Sequence, residues 1–351
     1  MRGSSPADSV GRLAESFAGA SEAAGGVAAE EYLLSDARVS LRFASPALHE
    51  RLAPAFAHLV ADTSERGEAP SLVVHLWDSA STRSAPPPRP PTRANEPAGA
   101  LYHFHEPPVR IAYQPGLETL SVLDVQTGIA WYWTANAFEQ ASWDRACPIR
   151  QILFWWLASR SYLQVHAAAV GTPEGGALLV GQPGSGKSTV ALACLRSDLL
   201  YAGDDYVAVT LEPSPRLASL YSSGKLDPSH VRRVLPQLLP LLANPDPPEG
   251  EKGVLYVQEH FPEQTTAGFP LAALVIPTVR KGRREPQLVA ASRAEAFAAL
   301  GPSTMFQLHT AGSSELAMLS GLVARLPCYR LELGGDVSAL PATISELLSR
   351  H

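Results

Sequence analysis

The chain has 351 residues, of which 46% are hydrophobic and 18% are charged, and its formal net charge is −6. This length predicts about two domains, each able to bury a core of its own. The acidic balance argues against binding of nucleic acid through a broad basic face. The three cysteines form no CxxC pair. The sequence therefore predicts neither a zinc knuckle nor a disulfide framework, and it indicates a reduced, cytoplasmic protein.

The first thirty residues are rich in Ala, Gly and Ser and contain no apolar stretch of signal-peptide length. Composition of this kind predicts disorder over residues 1–30. The longest apolar run of the chain, residues 152–158, is much shorter than the roughly 20 residues that a membrane-spanning helix needs. The sequence therefore predicts neither a signal peptide nor a membrane-spanning segment.

Residues 31–147 have the pattern of a β-rich domain that contains one helix. Apolar residues recur every three or four positions over 47–63, which predicts the helix, and residues 71–78 read as a strand. Residues 84–97 contain six prolines and are expected to form an extended surface loop. Alternating apolar and polar residues predict the short strands of a meander at 100–106, 109–114, 119–126 and 128–135.

From residue 148 onward the pattern changes, and a second domain is predicted over 148–351. Residues 148–162 have the length and apolar content of a buried helix. From residue 163, strand, helix and strand patterns alternate, as in a βαβ unit.

Residues 181–188, GQPGSGKS, match the pattern GxxxxGK[ST] between an apolar strand and an amphipathic helix. The glycines let backbone N–H groups turn toward phosphate oxygens without a Cβ clash. Lys187 is expected to reach the outer phosphates of a nucleoside triphosphate and Ser188 to bind Mg²⁺. The predicted phosphate-binding residues are Gly181, Gln182, Pro183, Gly184, Ser185, Gly186, Lys187, Ser188 and Thr189, the last as a candidate for the α-phosphate.

Asp204 and Asp205 follow the next predicted strand. Two carboxylates near a phosphate loop suit phosphoryl transfer, because one can hold Mg²⁺ and the other can accept the proton of an attacking hydroxyl. Neighbouring strand residues point to opposite faces, so the two carboxylates are expected to do different jobs. His166, one strand before the loop, is a candidate for tuning or relaying a proton. The alternatives are an acid pair that caps a turn and a histidine that only fills the core.

His166, the segment 176–189 and the strand ending at Asp205 together resemble the catalytic domain of the HPr kinase/phosphorylase family. The resemblance covers roughly residues 160–340. It is closest to the divergent HPr kinase-like proteins, which include kinases of lasso precursor peptides. It implies an α/β fold in which a P-loop domain related to phosphoenolpyruvate carboxykinase, at 148–351, follows a smaller β-rich α+β domain, at 31–147.

The resemblance also implies a function, namely transfer of the γ-phosphate of ATP to a protein serine with the help of Mg²⁺. It places the proton acceptor on Asp205, the P-loop lysine on Lys187, the magnesium-binding serine on Ser188 and the family's histidine on His166. Asp204 is then a second candidate metal ligand and takes part in catalysis.

Residues 277–284 look like the basic loop of the family and match it at Arg280, Gly282 and Arg283. This match makes Arg280 a candidate catalytic residue and Arg283 a candidate phosphate ligand. Without the resemblance, the same basic run is a solvated hairpin turn.

The sequence departs from the family after the acid pair, where a magnesium-binding glutamate is expected and residues 219–230 contain none. Asp227 is the candidate replacement. Lys225, as a catalytic cation, and Lys252, as a nucleotide ligand, are candidates for additional contacts with phosphate. A solvated surface position is the alternative for each lysine.

Three functions remain open from the sequence. The main prediction is an ATP-dependent serine kinase whose substrate is a peptide or protein. Binding to nucleic acid or to a membrane is not predicted. The alternatives are a kinase of a small-molecule hydroxyl and a nucleotide-binding partner module without transfer activity. The acceptor, the nucleotide preference and the retention of phosphorolysis are not fixed by the sequence. Family members often form hexamers, which leaves a homo-oligomer open.

Overall fold

The computed structural model describes residues 6–62, 69–90, 101–280, 282–307 and 312–351. The chain is mixed α/β and divides into two compact units. The first unit comprises Met1–Ala53 and Leu59–Arg160, and the second comprises Pro54–His58 and Ser161–His351. The units thus change over between Arg160 and Ser161, whereas the sequence predicts a boundary after residue 147.

The first unit contains a mixed sheet formed by seven strands of the described residues, in the order β1-β2-β3-β7-β6-β5-β4. The strands are β1 Ala28–Leu34, β2 Ala37–Phe43, β3 Leu72–Asp78, β4 Tyr102–Glu106, β5 Val109–Gln114, β6 Thr119–Asp124 and β7 Ile129–Thr134. The α-helices are α1 Pro6–Ala24, α2 Pro46–Leu52, α3 Ser79–Thr82, α4 Ser142–Ala146 and α5 Arg150–Ala158. Helix α5 packs against β6, which is why it belongs to this unit.

The N-terminal helix α1 corrects the prediction of disorder over residues 1–30 for the described part of that range, from residue 6 onward. Leu13, Phe17 and Ala20 are buried on one side of α1, at the spacing of an amphipathic helix. They join a core cluster that contains Trp77 and Trp133. The Ala-rich composition suits a helix as well as a disordered segment, and this apolar contact decides between the two.

The predicted strands of the first unit agree with β3 to β7 within about two residues. The predicted helix over 47–63 is shorter, because α2 ends at Leu52 and a 3₁₀ segment follows over Ala53–Leu59. Pro54 has no N–H to continue the α-helical ladder. Of the predicted proline-rich loop, residues 84–90 have no regular secondary structure and residues 91–97 lie outside the described residues.

The second unit contains the phosphate-loop motif. Its strands are β8 Leu163–Gly171, β9 Gly176–Val180, β10 Leu200–Gly203, β11 Tyr206–Thr210, β12 Arg216–Ser219, β13 Ser223–Leu226, β14 Gly253–Tyr256, β15 Gly268–Val279, β16 Gln287–Ala290 and β17 Cys328–Leu333. Its α-helices are α6 Lys187–Ala193, α7 Pro228–Val234, α8 Val257–His260, α9 Arg293–Gln307, α10 Ser313–Arg325 and α11 Leu340–Leu348.

Most of these strands form one sheet in the order β10-β8-β11-β12-β15-β17-β16, and β9 pairs with both β8 and β15. Strands β9, β15 and β17 are parallel, so their carboxyl ends lie at one edge of the sheet. The loops that follow Val180, Val279 and Leu333 therefore leave from the same edge. In open α/β sheets this edge is where ligands bind.

The segment Pro54–His58 contributes to the core of the second unit although the chain on both sides of it belongs to the first. The N–H of Ser222 donates to the carbonyl oxygen of Ala55 at 2.8 Å. The rings of Phe56 and Tyr221 lie 5.4 Å apart, and His58 Nε2 is 2.6 Å from the hydroxyl of Ser219. The segment thus packs against the connection between β12 and β13 and supports it.

The six tryptophans of the chain, Trp77, Trp131, Trp133, Trp143, Trp155 and Trp156, all belong to the first unit. No helix within the described ranges is both long enough and apolar enough to cross a lipid bilayer.

Candidate functional site

The motif at 181–188 forms the turn between β9 and α6. Gly184 and Gly186 have φ values of +81° and +108°, which side chains rarely allow. A Cβ atom on Gly186 would lie 2.3 Å from Leu333 Cδ1, so the loop packs closely on the end of β17. Gln182 and Pro183 are exposed at the tip of the turn. The hydroxyl of Ser185 is buried without a hydrogen-bond partner, and a phosphate oxygen would satisfy it.

Lys187 is a buried lysine whose side chain folds back over the loop. Its ammonium donates to the carbonyl oxygen of Gly181 at 2.7 Å and to that of Gln182 at 3.3 Å. Burial lowers the pKa of Lys187 and the charge of Lys252 lowers it further, while the two neighbouring carboxylates raise it. Lys252 is exposed and lies close enough for its charge to act on Lys187, and its role as a phosphate cation stays a prediction.

The acid pair occupies a break in one long strand beside β8. Gly203 pairs with Ala169, and pairing resumes where Tyr206 faces His166. Asp205 has a φ of +66°, in the left-handed region that aspartate tolerates better than most residues. The N–H of Ala167 donates to the carbonyl oxygen of Asp205 at 3.1 Å and keeps the break close to the sheet.

The carboxylate of Asp204 faces the start of α6. Ser188 Oγ donates to its Oδ1 at 2.9 Å, and the backbone N–H of Lys225 donates to its Oδ2 at 3.2 Å. Burial and then the charge of Asp205 raise the pKa of Asp204, and the two hydrogen bonds only partly offset this rise. A cation at this carboxylate would relieve the cost of its buried charge.

The carboxylate of Asp205 faces Lys225 and His166 instead. The ammonium of Lys225 forms an ion pair with Oδ2, and His166 Nε2 lies 3.7 Å from Oδ1. Burial would raise the pKa of Asp205, but the charge of Lys225 and the contact with His166 outweigh it and hold that pKa well below its usual range. The neighbours Asp204 and Asp205 therefore have different side-chain partners and opposite pKa shifts.

His166 lies beside the loop because of the register of the sheet. Ala167 pairs with Val180, the last residue of β9, so His166 lies just beyond the point where the loop begins. Its backbone N–H donates to the hydroxyl of Thr304 in α9 at 3.2 Å. Its ring Nδ1 is buried without a partner, while Nε2 faces Asp205.

The predicted basic loop is connected to a carboxylate that the sequence did not single out. Arg280 and Arg283 contact Glu332 at 3.3 Å and 3.0 Å, and Arg330 approaches the same carboxylate at 3.5 Å. Of the predicted loop, Lys281 lies outside the described residues. Arg280 and Arg283 thus leave the same edge of the sheet as the phosphate loop, but their recorded ion pairs are with Glu332 and not with the acid pair.

Asp227, the candidate replacement for a magnesium-binding glutamate, has a structural role at the start of α7. It is the exposed N-cap of α7, where its Oδ1 accepts hydrogen bonds from the N–H groups of Ser229 and His230 at 2.8 Å and 3.0 Å. The pattern Asp-Pro just before a short helix is an N-cap signal, and this signal could have identified the role from the sequence.

Sequence reasoning also missed His230. Its Nε2 lies 3.0 Å from the hydroxyl of Thr189 in the first turn of α6. Nothing in the local sequence connects positions 189 and 230, because their contact depends on how α7 follows β13 and on how β13 packs on α6.

The residues at this edge can hold a nucleoside triphosphate and a divalent cation. Ser188 and Asp204 supply hydroxyl and carboxylate oxygens, which are the ligands that Mg²⁺ takes together with substrate phosphates. Lys187 and the loop amides suit phosphate oxygens. Asp205, which does not touch Ser188, remains available for a proton.

No protein-family model matches this chain, and the comparison with curated proteins also finds no match. Among solved structures, the Hpr(Ser) kinase/phosphatase from Coxiella burnetii is similar over 54% of this chain and 95% of that chain, at 11% sequence identity and a TM-score of 0.29. A likeness of this size carries no argument about function.

Proposed function

We propose that this chain is an ATP-dependent kinase that transfers the γ-phosphate to a serine hydroxyl of a peptide or protein. The observation that carries the proposal is that the two carboxylates of the acid pair contact different side chains. Asp204 is hydrogen-bonded to Ser188 of the phosphate loop, while Asp205 is kept ionised by Lys225 beside His166. Phosphoryl transfer needs one oxygen site for the cation and one proton acceptor.

Asp205 acts as the proton acceptor. As the acceptor oxygen bonds to the γ-phosphorus and the bond to the β-phosphate oxygen breaks, the hydroxyl proton passes to the carboxylate of Asp205 and ADP leaves. A carboxylate paired with an ammonium is a weak base. A loose transition state tolerates this, because the hydroxyl becomes acidic only when the new bond is largely formed.

The positive groups around the loop stabilise charge on the transferred phosphoryl group. Lys187 lies within the loop, and Lys225 lies at the carboxylate that faces the acceptor. Ser188 and Asp204 would hold Mg²⁺, which when bound neutralises charge on the phosphates. Arg280 and Arg283 would join these groups only if they exchanged Glu332 for phosphate.

The test uses the full chain with Mg²⁺ and γ-labelled ATP, offered separately a pool of serine-containing peptides and a pool of small-molecule alcohols. Wild type is expected to label the peptides. Asp205→Asn is expected to bind ADP as wild type does and to lose transfer by about 10²-fold or more. Asp246→Asn, which changes an exposed acid that pairs with Arg232, is the matched control.

Equal labelling by wild type and Asp205→Asn would remove Asp205 as the base. Labelling confined to the alcohol pool would replace the peptide acceptor by a small molecule. Nucleotide binding without any labelling would favour a partner module that lacks transfer activity.

A further inference from the structure

A chain of hydrogen bonds leads from the surface of α7 to the first turn of α6. The hydroxyl of Thr189 lies 3.0 Å from Nε2 of His230, and Nδ1 of the same ring lies 3.4 Å from a guanidinium nitrogen of Arg233. The imidazole is half-buried, whereas Arg233 is exposed. None of these contacts belongs to the acid pair.

Arg233 determines which nitrogen of the imidazole carries the proton. A guanidinium group only donates hydrogen bonds, so the Nδ1 that it contacts must accept one. A neutral imidazole with an accepting Nδ1 carries its proton on Nε2. Nε2 therefore donates to the hydroxyl oxygen of Thr189. Burial and then the charge of Arg233 lower the pKa of His230 more than Asp227 raises it, which agrees with a neutral ring.

The consequence falls on the hydroxyl of Thr189. A hydroxyl whose oxygen accepts a hydrogen bond keeps its own proton free for another acceptor. Thr189 is the residue after Ser188 in the phosphate loop, where that acceptor would be an oxygen of the bound nucleotide. The donor on His230 occupies one acceptor position of the Thr189 oxygen and so leaves the hydroxyl proton for the nucleotide oxygen.

The backbone around His230 is fixed as well. Asp227 caps α7 and accepts the N–H of His230 at 3.0 Å, and α7 directly follows β13, which carries Lys225. A Cβ on Gly224 of β13 would lie 2.9 Å from a methyl group of Leu192 in α6, so β13 and α6 are in close contact. The cap on α7 and the close packing of β13 on α6 therefore fix the position of His230 relative to the phosphate loop.

We propose that His230, held in one tautomer by Arg233, is a positioning residue that orients the hydroxyl of Thr189 to donate to a phosphate oxygen of a nucleoside di- or triphosphate. This inference rests on the proposed function, because it requires a nucleotide in the loop at 181–188. It adds a nucleotide-recognition role to a histidine outside both the loop motif and the acid pair.

The test is calorimetric titration of the full chain with Mg²⁺ and ADP. Thr189→Val is expected to weaken ADP binding by about 10-fold and His230→Ala by about 3- to 10-fold, the range of a single hydrogen bond. In the double variant the loss is expected to equal that of Thr189→Val alone, since His230 acts only through the hydroxyl.

Conservative variants separate positioning from mere support of the fold. Thr189→Ser keeps the hydroxyl, and His230→Gln keeps a donor to Thr189 and an acceptor for Arg233, so both are expected to stay within about threefold of wild type. Arg232→Ala, which removes an exposed cation one residue before Arg233, controls for general effects on α7.

The outcomes distinguish the inference from the proposed function. If Lys187→Ala abolishes ADP binding but the losses of Thr189→Val and His230→Ala simply add, or His230→Ala has no effect, the inference is wrong and the kinase proposal stands. If His230→Gln loses as much affinity as His230→Ala, the inference is also wrong. If wild type binds no nucleotide, both proposals fall.

Discussion

At the scale of single residues, the acid pair shows how two identical side chains acquire different chemistry. Asp204 and Asp205 are neighbours, yet the pKa of the first is raised by burial and the pKa of the second is lowered by an ammonium partner. The left-handed backbone of Asp205 brings both carboxylates to Lys225, one to its N–H and the other to its ammonium. Conformations of this kind cost free energy and tend to occur at functional sites.

The ion pair of Asp205 leads to the first prediction. Lys225→Met removes the charge that favours the ionised carboxylate, so the pKa of Asp205 is expected to rise toward the ordinary range of an aspartate. Carboxyl ¹³C NMR of wild type and variant, titrated from pH 7 downward, measures it. Arg232→Met is the control, because it removes a cation whose ion-pair partner is the exposed Asp246 rather than Asp205. An unchanged Asp205 titration would mean that Lys225 does not set its charge state.

The same ion pair fixes the sign of a pH effect on stability. The folded-state pKa of Asp205 is depressed below the value of about 3.9 for an unfolded aspartate. Its ionisation therefore stabilises the fold above about pH 3.9, and this contribution is lost as the pH falls toward the folded-state pKa. Lys225→Met is expected to reduce the contribution at neutral pH.

The sequence was informative about the site wherever function depends on a local motif. The pattern at 181–188 and the two acids identified the loop and the acid pair, and the separate candidates His166 and Lys225 lie beside Asp205 in the fold. It could not predict that Arg280 and Arg283 contact Glu332, or that His230 reaches Thr189, because both contacts join segments far apart in the chain. The roles of Arg280 in catalysis and of Arg283 in phosphate binding stay predictions.

At the scale of elements, short helices depend on their caps. Helix α7 has only the residues Pro228–Val234, and Asp227 satisfies two N–H groups at its start. Such a helix is too short to be stable from its own ladder. The orientation of His230 toward the phosphate loop therefore depends on the cap.

The second prediction concerns this cap. Asp227→Ala is expected to reduce the free energy of unfolding by about 1 kcal/mol, the usual cost of losing an N-cap. Denaturant unfolding followed by far-ultraviolet circular dichroism measures it. Asp246→Ala, which removes an exposed ion pair, is expected to stay within about 0.5 kcal/mol of wild type. If both variants lose the same free energy of unfolding, the N-cap hydrogen bonds of Asp227 do not stabilise the fold beyond an exposed ion pair.

The cap also has a pH dependence with a definite sign. Hydrogen bonds from the Ser229 side chain and the His230 N–H lower the pKa of Asp227. Its stabilising effect is therefore present above about pH 3.9 and lost as the pH falls through the folded-state pKa. The difference between wild type and Asp227→Ala should shrink below about pH 4.

Strands were more predictable than helices in this chain. Short apolar runs between turn residues predict β3 to β7, and in β6 and β7 consecutive residues are buried, so both faces of these strands are covered. The helix α1 was missed because its few buried residues are scattered in an Ala-rich run, and only Leu13, Phe17 and Ala20 show that it has a partner. The apolar spacing over 47–63 predicts a longer helix than α2, because this spacing continues past Pro54, where the α-helical hydrogen bonds stop.

At the scale of the whole molecule, the two units differ in what they carry. The tryptophans belong to the first unit and the phosphate loop to the second. Tryptophan fluorescence therefore reports on the first unit, and ligand binding acts on the second.

This separation gives the third prediction. Mg²⁺ and ADP at about 100 times the dissociation constant should stabilise the second unit by about 2.7 kcal/mol. The unfolding midpoint seen by circular dichroism is expected to rise, while the transition seen by tryptophan fluorescence stays where it was. A parallel rise of both transitions would show that the two units unfold as one.

The segment Pro54–His58 has a consequence for anyone who wishes to dissect the protein. A fragment that starts at residue 161 would leave the N–H of Ser222 without the carbonyl of Ala55 and would open a hole where Phe56 packs on Tyr221. The second unit is thus not one uninterrupted stretch of the chain. A circular permutant or a tethered five-residue graft, rather than a simple N-terminal deletion, is the way to isolate it intact.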